Sequence, residues 1–248
     1  MDISTLRKEG LQQTADALRT SVTEDTHIIQ CITAIEEFDI HINKLSVRLR
    51  EWYAWHNPEF VRSISHPERF AELVQHKSRE ELLKEIGQTE TVGGLFSQKQ
   101  LLAVQDIAQS VSQLIGTRER EKQYLEAILE EYCPCIHAVL GASLTAKLIR
   151  HARSLKQLAM TPAPIIQIMG AEKALFKHMS KRGKSPKYGI IFAHPLMTVP
   201  QRNKGKMARA IADKAAMAAK MDFFKAEDRK KLGNTYRAWL TKRKESLS

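Results

Sequence analysis

Three kinds of chemistry are open to the side chains of this chain, and their spacing separates them. Cys133-Pro134-Cys135 with His137 brings two thiols and an imidazole within five residues, the raw material of a metal or redox site. A single intervening residue and the lack of a second cysteine pair do not make a zinc site, so no metal is assigned and a helix-end kink with buried thiols is expected. His151 and His194-Pro195 are the histidines to consider for acid–base work. No Ser or Cys nucleophile and no carboxylate motif accompanies them, and no Gly-rich phosphate loop or methyl-donor motif occurs. The third group is basic. Lys181, Arg182, Lys184 and Lys187 share one loop, while Arg202, Lys204, Lys206 and Arg209 lie on a loop that runs into a helix N-terminus. Lys and Arg side chains and the free N–H groups of such a terminus both suit phosphates. Gln201 and Asn203 can donate and accept at base edges. The chemistry expected is therefore binding, with no enzyme activity and no cofactor.

The charge of the whole chain points the same way. Residues 1–140 hold 15 Lys and Arg against 22 Asp and Glu, whereas residues 141–248 hold 24 against 6. A basic segment joined to an acidic one reads as a polyanion-binding module carried on something else, and nucleic acid is the leading polyanion. With 248 residues, 43% hydrophobic and 27% charged, the chain is long enough for one large or two ordinary domains. No apolar run approaches the roughly 18–20 residues that span a bilayer. The N-terminus lacks the pattern of a secretory signal, and three cysteines do not make a disulfide framework, so a reducing, intracellular setting is expected.

The acidic half is expected to be helical and long. From Glu24 to His56 a seven-residue repeat places Ile28, Ile35, Ile42 and Leu49 at one seam position and Cys31, Phe38, Leu45 and Trp52 at the other. Asn57-Pro58 stops it. A second stretch, 97–132, puts Val104, Val111, Leu125 and Tyr132 on one seam and Ile107, Leu114 and Ile128 on the other, with Arg118 and Glu121 interrupting and Gly116 able to bend the helix. Short helices are expected at Glu68–Gln75 and Arg79–Ile86. The two long helices would return antiparallel as a coiled-coil hairpin whose exposed tip is residues 58–96. Residues 1–20 are weakly periodic, a further helix or a frayed arm.

Cys133-Pro134-Cys135 marks the boundary between an acidic domain, 1–133, and a basic one, 134–248, because Pro134 lacks the N–H of a continuing helix. Beyond it the elements are short: helices at Ser143–His151, Leu155–Met160 and Ala171–Met179, then Tyr188–Phe192 as a buried strand or extended core segment. An alanine-rich helix at Met207–Met221 and a basic amphipathic helix at about Ala226–Arg243 complete the chain.

Several blocks of this sequence resemble the Nop domain family, the scaffold proteins of box C/D small ribonucleoproteins with a spliceosomal pre-mRNA processing relative. They are Ile32-Thr33-Ala34-Ile35-Glu36-Glu37-Phe38-Asp39, Arg48-Leu49-Arg50-Glu51-Trp52-Tyr53 and Gly141 to Ile149. Then come Ser154 to Ala159, Ile166-Gln167-Ile168-Met169-Gly170-Ala171-Glu172-Lys173-Ala174-Leu175-Phe176, Pro186 to Phe192, and Gly205 to Asp222. Arg153 departs from the pattern, standing where the family often has glycine.

The resemblance implies an all-α fold: a long antiparallel coiled-coil hairpin followed by a compact, mostly helical RNA-binding domain. It implies binding to a box C/D-type guide RNA or another kink-turn RNA, together with a kink-turn-binding ribosomal-type protein, in guide-directed 2′-O-methylation. RNA would be held by Lys173, Lys184, Lys187, Arg202, Asn203, Lys204, Lys206 and Arg209. The partner protein would meet Gly170, Ala171, Glu172 and Lys173. The seam of Ile28, Ile35, Phe38, Ile42, Leu45, Leu49, Val104, Ile107, Val111 and Leu114 would join a second copy or a paralogue. Relatives begin with an α/β domain that holds a fibrillarin-type methyltransferase; the residues before Glu24 are too few for one, so that partner is expected only if such a domain exists outside this chain. An archaeal-type protein would be cytoplasmic and a eukaryotic one nuclear. The alternatives are a splicing ribonucleoprotein component and, from another class, a coiled-coil adaptor for acidic protein or lipid surfaces.

Overall fold

The computed structural model describes residues 3–181 and 183–247, and among these every regular element is helical. Thirteen α-helices follow one another, two of them much longer than the rest: α2, Glu24–Tyr53, and α6, Gln98–Tyr132. Contacts divide the chain into two compact units, 33–124 and the remainder. Where composition shifts at Cys133, contacts change hands earlier, within the two long helices.

In unit 33–124, Asp39 pairs with Arg118 at 3.0 Å and His56 meets Gly94 and Phe96, so α2 and α6 run antiparallel. Ile35, Ile42, Leu49, Val104 and Val111 are buried within this single chain, as is Ile28 in the other unit, while Phe38, Leu45, Ile107 and Leu114 are half-buried. The second seam position drifts outward along α2. Cys31 is 5% exposed but Trp52 is 38%, and Ser46 and Tyr53, one residue further on, are buried at 3% each. A straight α-helix drifts about 20° per heptad from a perfect seven-residue repeat, and three heptads exchange one stripe for the next.

The expected exposed tip has a core of its own. Short helices α3 (Pro58–Ser63), α4 (Pro67–His76) and α5 (Arg79–Glu85) fold over the end of the long pair. Phe60 and Phe70 stack at 5.3 Å, Tyr53 meets both edge-on, and Leu82 is fully buried beside them. α3 and α4 each begin on a proline, and Ser78 and Glu81 close a capping box on α5. Gly116 does not interrupt α6. Arg118, expected to break the seam, is 12% exposed and anchors it to Asp39, Glu68 and Glu119.

The other unit opens with α1, Ile3–Ser21, an exposed helix with no buried residue. Its core is built around α12, Lys204–Phe223, on which Met207, Ala208, Ile211, Ala212, Ala215, Ala218 and Ala219 are all fully buried. Alanines let α7 (Pro134–Leu140), α9 (Leu155–Met160), α10 (Ala163–Ile168) and α13 (Arg229–Glu245) approach this central helix closely. A Cβ on Gly233 would lie 2.6 Å from the Cys135 carbonyl, so α13 crosses α7 backbone to backbone. Two buried carboxylates tie the unit together: Asp222 accepts from Cys135 and Ile136 N–H at 3.0 and 2.8 Å, and Asp25 accepts from Leu155 N–H at 3.0 Å. Cys133 and Cys135 are buried, and burial pushes the Cys135 thiol up to about 12.

Tyr188–Phe192 is neither a strand nor an extended segment. Ile190–Ala193 is a 3₁₀ turn with Ile191 buried, held by backbone bonds from Gly189 to Gln167 and from Ile190 to Met169, with Pro195 following. α8 (Ala142–Ala152) ends on Arg153 at φ 72°, a left-handed position where glycine carries no Cβ penalty.

Candidate nucleic-acid interface

The interface is built where two strips of chain are laced together. α10 starts after Pro162, whose fixed φ suits a helix start, and ends at Ile168, followed by a turn through Gly170 at φ +85°. A Cβ on Gly170 would meet Ile190 Cγ2 at 2.4 Å, and one on Gly189 would meet the Met169 carbonyl at 1.9 Å. Both glycines are needed for the strips to touch. Gln167 Nε2 donates to the Lys187 carbonyl at 2.6 Å, Gly189 N–H to Gln167 O and Ile190 N–H to Met169 O, each at 2.8 Å. Lys187 is thereby held beside the Gly170–Lys173 turn, which opens α11, Glu172–Met179.

Aromatic contacts carry the construction on to α12. Tyr188 and Phe192 stack with centroids 4.9 Å apart and planes 11° from parallel, and Lys204 Nζ lies 4.9 Å from the Phe192 centroid. Lys204 and Lys206 stand in the first turn of α12, which begins earlier than the expected Met207. Arg202, Lys206 and Arg209 are exposed there, as are Lys173, Lys184 and Lys187 on the other strip. None of these six meets a carboxylate among the described residues. Arg182 lies outside them. Elsewhere in the same unit cations are spent on acids, as Lys230 is on Glu130. A group of unpaired cations around an exposed turn has the charge and access that phosphates favour.

Two expected site residues also bond within the chain. Asn203 donates one amide N–H to the Leu247 carbonyl at 2.6 Å, tying α12 to the end of α13 and leaving its second N–H and its side-chain carbonyl outside that bond. Glu172, expected to face a partner protein, is exposed and also bonds to its own turn. Its Oε1 accepts from Gly170 N–H at 2.7 Å and lies 3.4 Å from His151 Nδ1. Partial burial pushes its carboxyl up, but the Gly170 N–H and His151 outweigh that and hold it below the ordinary glutamate value. Gly170 and Lys173 remain exposed and Ala171 half-buried, so the turn itself is accessible.

His194 is structural. Its Nδ1 accepts from Leu196 N–H and its Nε2 donates to the Val139 carbonyl, which requires the neutral ring, and burial lowers its pKa accordingly. Among the described residues no group of three or more His, Cys, Asp or Glu is placed to hold a metal ion, and no helix is long and apolar enough to cross a membrane. Sequence reasoning passed over Gln167 and the Tyr188–Phe192 pair. Aromatic residues four apart beside a basic run were the available signal for the pair; nothing in the sequence marked Gln167.

Comparisons with known proteins place the chain in a family. The chain is 38% identical over 230 residues to nucleolar protein 56 of Dictyostelium discoideum, covering 84% of this chain and 43% of that protein. It is 34% identical over 227 residues to nucleolar protein 58 of Candida glabrata (85% and 44%), and 33% identical over 221 residues to human nucleolar protein 56 (81% and 37%). The chain thus spans less than half the length of the curated relatives it matches. Among solved structures, the crystal structure of a fibrillarin/Nop5p complex superimposes with a TM-score of 0.57 at 25% identity, over 99% of this chain and 78% of that one. The model of the Nop family, described as a snoRNA binding domain, fibrillarin, matches residues 34–246 and so takes in both long helices, the laced strips and the α12–α13 pair. On that match the chain belongs to the Nop family.

Proposed function

We propose that this chain is a non-enzymatic scaffold of a small ribonucleoprotein of the box C/D type. Its basic unit clamps a kink-turn RNA already held by a kink-turn-binding ribosomal-type protein, in guide-directed 2′-O-methylation. The observation that carries this reading is the lacing of Lys187 to the Gly170–Lys173 turn through Gln167, which presents unpaired cations and an accessible backbone turn as one surface. A composite target offers phosphates and a protein face in fixed positions, and contacts to both together can exceed the entropic cost of docking where neither alone does. The nucleolar relatives and the fibrillarin complex support the same assignment, including a fibrillarin-type methyltransferase as a partner of the assembly and a nuclear location in a eukaryote.

Partnering with a second copy or a paralogue belongs to the same reading, with one change. The seam is covered within one chain, so a partner would meet the outer surface of unit 33–124, where Trp55, Val92 and Leu95 are exposed.

Titration of the full chain against naked kink-turn RNA and against the preformed RNA–protein complex tests the clamp. Weak binding to the first and tight binding to the second is expected. Ala171→Arg should abolish the difference while leaving weak RNA affinity intact, because it blocks the turn but adds a positive charge. Lys187→Ala with Arg209→Ala should weaken both. Equal affinity for the two targets would sink the reading.

A further inference from the structure

The two helices behind the candidate interface continue its line of unpaired cations beyond Lys206 and Arg209, through Lys220 on α12 and Lys231 and Lys242 on α13. Three contacts set the register of α12 against α13: Asn203 with Leu247, Lys214 over Tyr236 and Trp239, and Asp222 with Arg229. The helices are antiparallel, so Lys206 lies level with the Arg243 turn and Lys220 with the Lys231 turn. At 3.6 residues per turn, exposed Lys206, Arg209 and Lys220 share the outer face of α12, and exposed Lys231, Trp239 and Lys242 that of α13. None of these five cations, nor Arg243 beside Lys242, meets a carboxylate among the described residues. Asp213 and Glu245 are the acids on the two outer faces.

Trp239 stands in the middle of this track and is 45% exposed. Lys214 Nζ sits 4.6 Å from the Trp239 centroid and 5.0 Å from that of Tyr236. The tryptophan therefore carries a cation against its ring instead of being buried, and its flat surface stays electropositive. An aromatic ring set among cations suits a phosphate backbone, which it can contact through ribose and base edges without reading sequence. From Lys206 to Lys220 the track runs about 21 Å at 1.5 Å per residue, enough to follow several phosphates. Its near end is continuous with Arg202, Lys204 and Lys206 of the interface already described.

We propose that the outer face of the α12–α13 pair, centred on Trp239, is a second RNA-contact surface that follows the phosphates of a duplex stem running away from the primary site. The proposal rests on the RNA reading of the primary site, and its test separates the two. The chain has three tryptophans, of which Trp52 and Trp55 belong to the other unit, so the indole N–H signal of Trp239 is a local reporter with two internal references.

The full chain would be titrated at low salt with an RNA duplex of about 20 base pairs that has no kink. Trp239 should move while Trp52 and Trp55 stay, and Lys242→Glu with Arg243→Glu should weaken duplex binding about tenfold and lower the salt slope by about two phosphate contacts. These side chains are exposed, so the variant keeps its fold, which the unchanged reference signals check. A duplex that binds without moving Trp239, or whose affinity ignores the charge reversal, overturns this surface. If Lys173→Ala with Lys187→Ala weakens binding while Trp239 stays silent, the primary site stands and this surface falls. If the duplex does not bind at all, this surface falls, and the clamp is decided by its own titration against the kink-turn complex.

Discussion

Unit 33–124 and the rest of the chain solve the problem of packing helices with opposite materials. The first is filled by large rings and branched chains: Phe60 and Phe70 are fully buried and stacked, with Tyr53 against their edges and Leu49, Leu82, Val104 and Val111 around them. The second is centred on a helix whose inward faces are mostly alanine, with Gly233 letting a neighbour cross at backbone distance. Charge differs as well. Residues 33–124 hold 12 Lys and Arg against 14 Asp and Glu, while the remainder holds 27 against 14. A core of rings stiffens its unit through volume. A core of alanines keeps helices close, so that the Gly170 and Gly189 strips can be laced together at backbone distance.

The two materials should fail in opposite ways, and the larger failure belongs to the rings. Phe70→Ala removes a fully buried ring that meets Tyr53, Phe60 and the Arg50 guanidinium, and should cost about 3–5 kcal/mol. In thermal unfolding followed by the indole signals, Trp52 and Trp55 should lose dispersion well before Trp239. Simultaneous loss of all three would mean that the units do not differ in this sense. The alanine helix is insensitive to cavities because there is little to remove, but it has no room for additions. Ala215→Leu places an extra branched chain at a fully buried site and should cost about 1–3 kcal/mol by overpacking. It should also weaken RNA binding without altering any cation, because α10 packs on this helix and carries the Gly170 turn. RNA affinity unchanged in a destabilised Ala215→Leu variant would show that the turn does not depend on the spacing of the helices behind it.

What was legible in the sequence follows the same division. The long helices of the ring-filled unit could be read because a seven-residue repeat of Ile, Leu and Val has one physical meaning. The drift from Trp52 to Tyr53 could not, since it accumulates from the mismatch between the helix period and the repeat. Arg118 looked like a flaw in the seam because its three carboxylates, Asp39, Glu68 and Glu119, come from three helices. In the alanine-centred unit, Pro134 was read as a stop, yet it stands at the start of a short helix, where a missing N–H costs nothing. The exposure of Lys173, Lys184, Lys187, Arg202, Lys206 and Arg209 agrees with their reading as surface cations. The bond from Gly170 N–H to Glu172 was not legible, because a charged residue in a basic segment gives no direction until the backbone turn at Gly170 is seen.

The smallest expected difference is in acid, and its sign separates the units most sharply. In unit 33–124 the shifted carboxyls are lowered. Glu59 is held down first by the Thr91 hydroxyl and then by Val92 N–H, Glu81 by the Ser78 cap, Glu85 by Lys77 and Arg69, and Glu119 by Lys122 and Arg118. A carboxyl whose folded value lies below the ordinary 4.5 contributes stability that is present above that pH and is lost as pH falls through the folded value. Asp25 and Asp222, both outside that unit, are raised, chiefly by burial and against the backbone N–H groups they accept from. Their contribution has the opposite sign: it is present below the ordinary 3.8 and lost as pH rises through the folded values. Glu130 and Glu172, on their own side, are lowered and partly offset this. Of the four lowered glutamates, Glu81, Glu85 and Glu119 are exposed and Glu59 is half-buried at the surface, so each contributes little and salt screens it. On acidification below about pH 4.5 the Trp52 and Trp55 signals should therefore broaden before that of Trp239, and added salt should narrow the gap. Asp222→Asn removes the charge but can accept from only one of the Cys135 and Ile136 N–H groups, so it should destabilise the alanine-centred unit at all pH values and flatten the pH response of Trp239, while leaving the response of Trp52 and Trp55 as it was. If Trp239 is lost first in acid, the buried aspartates are not the groups that set the pH response of the alanine-centred unit.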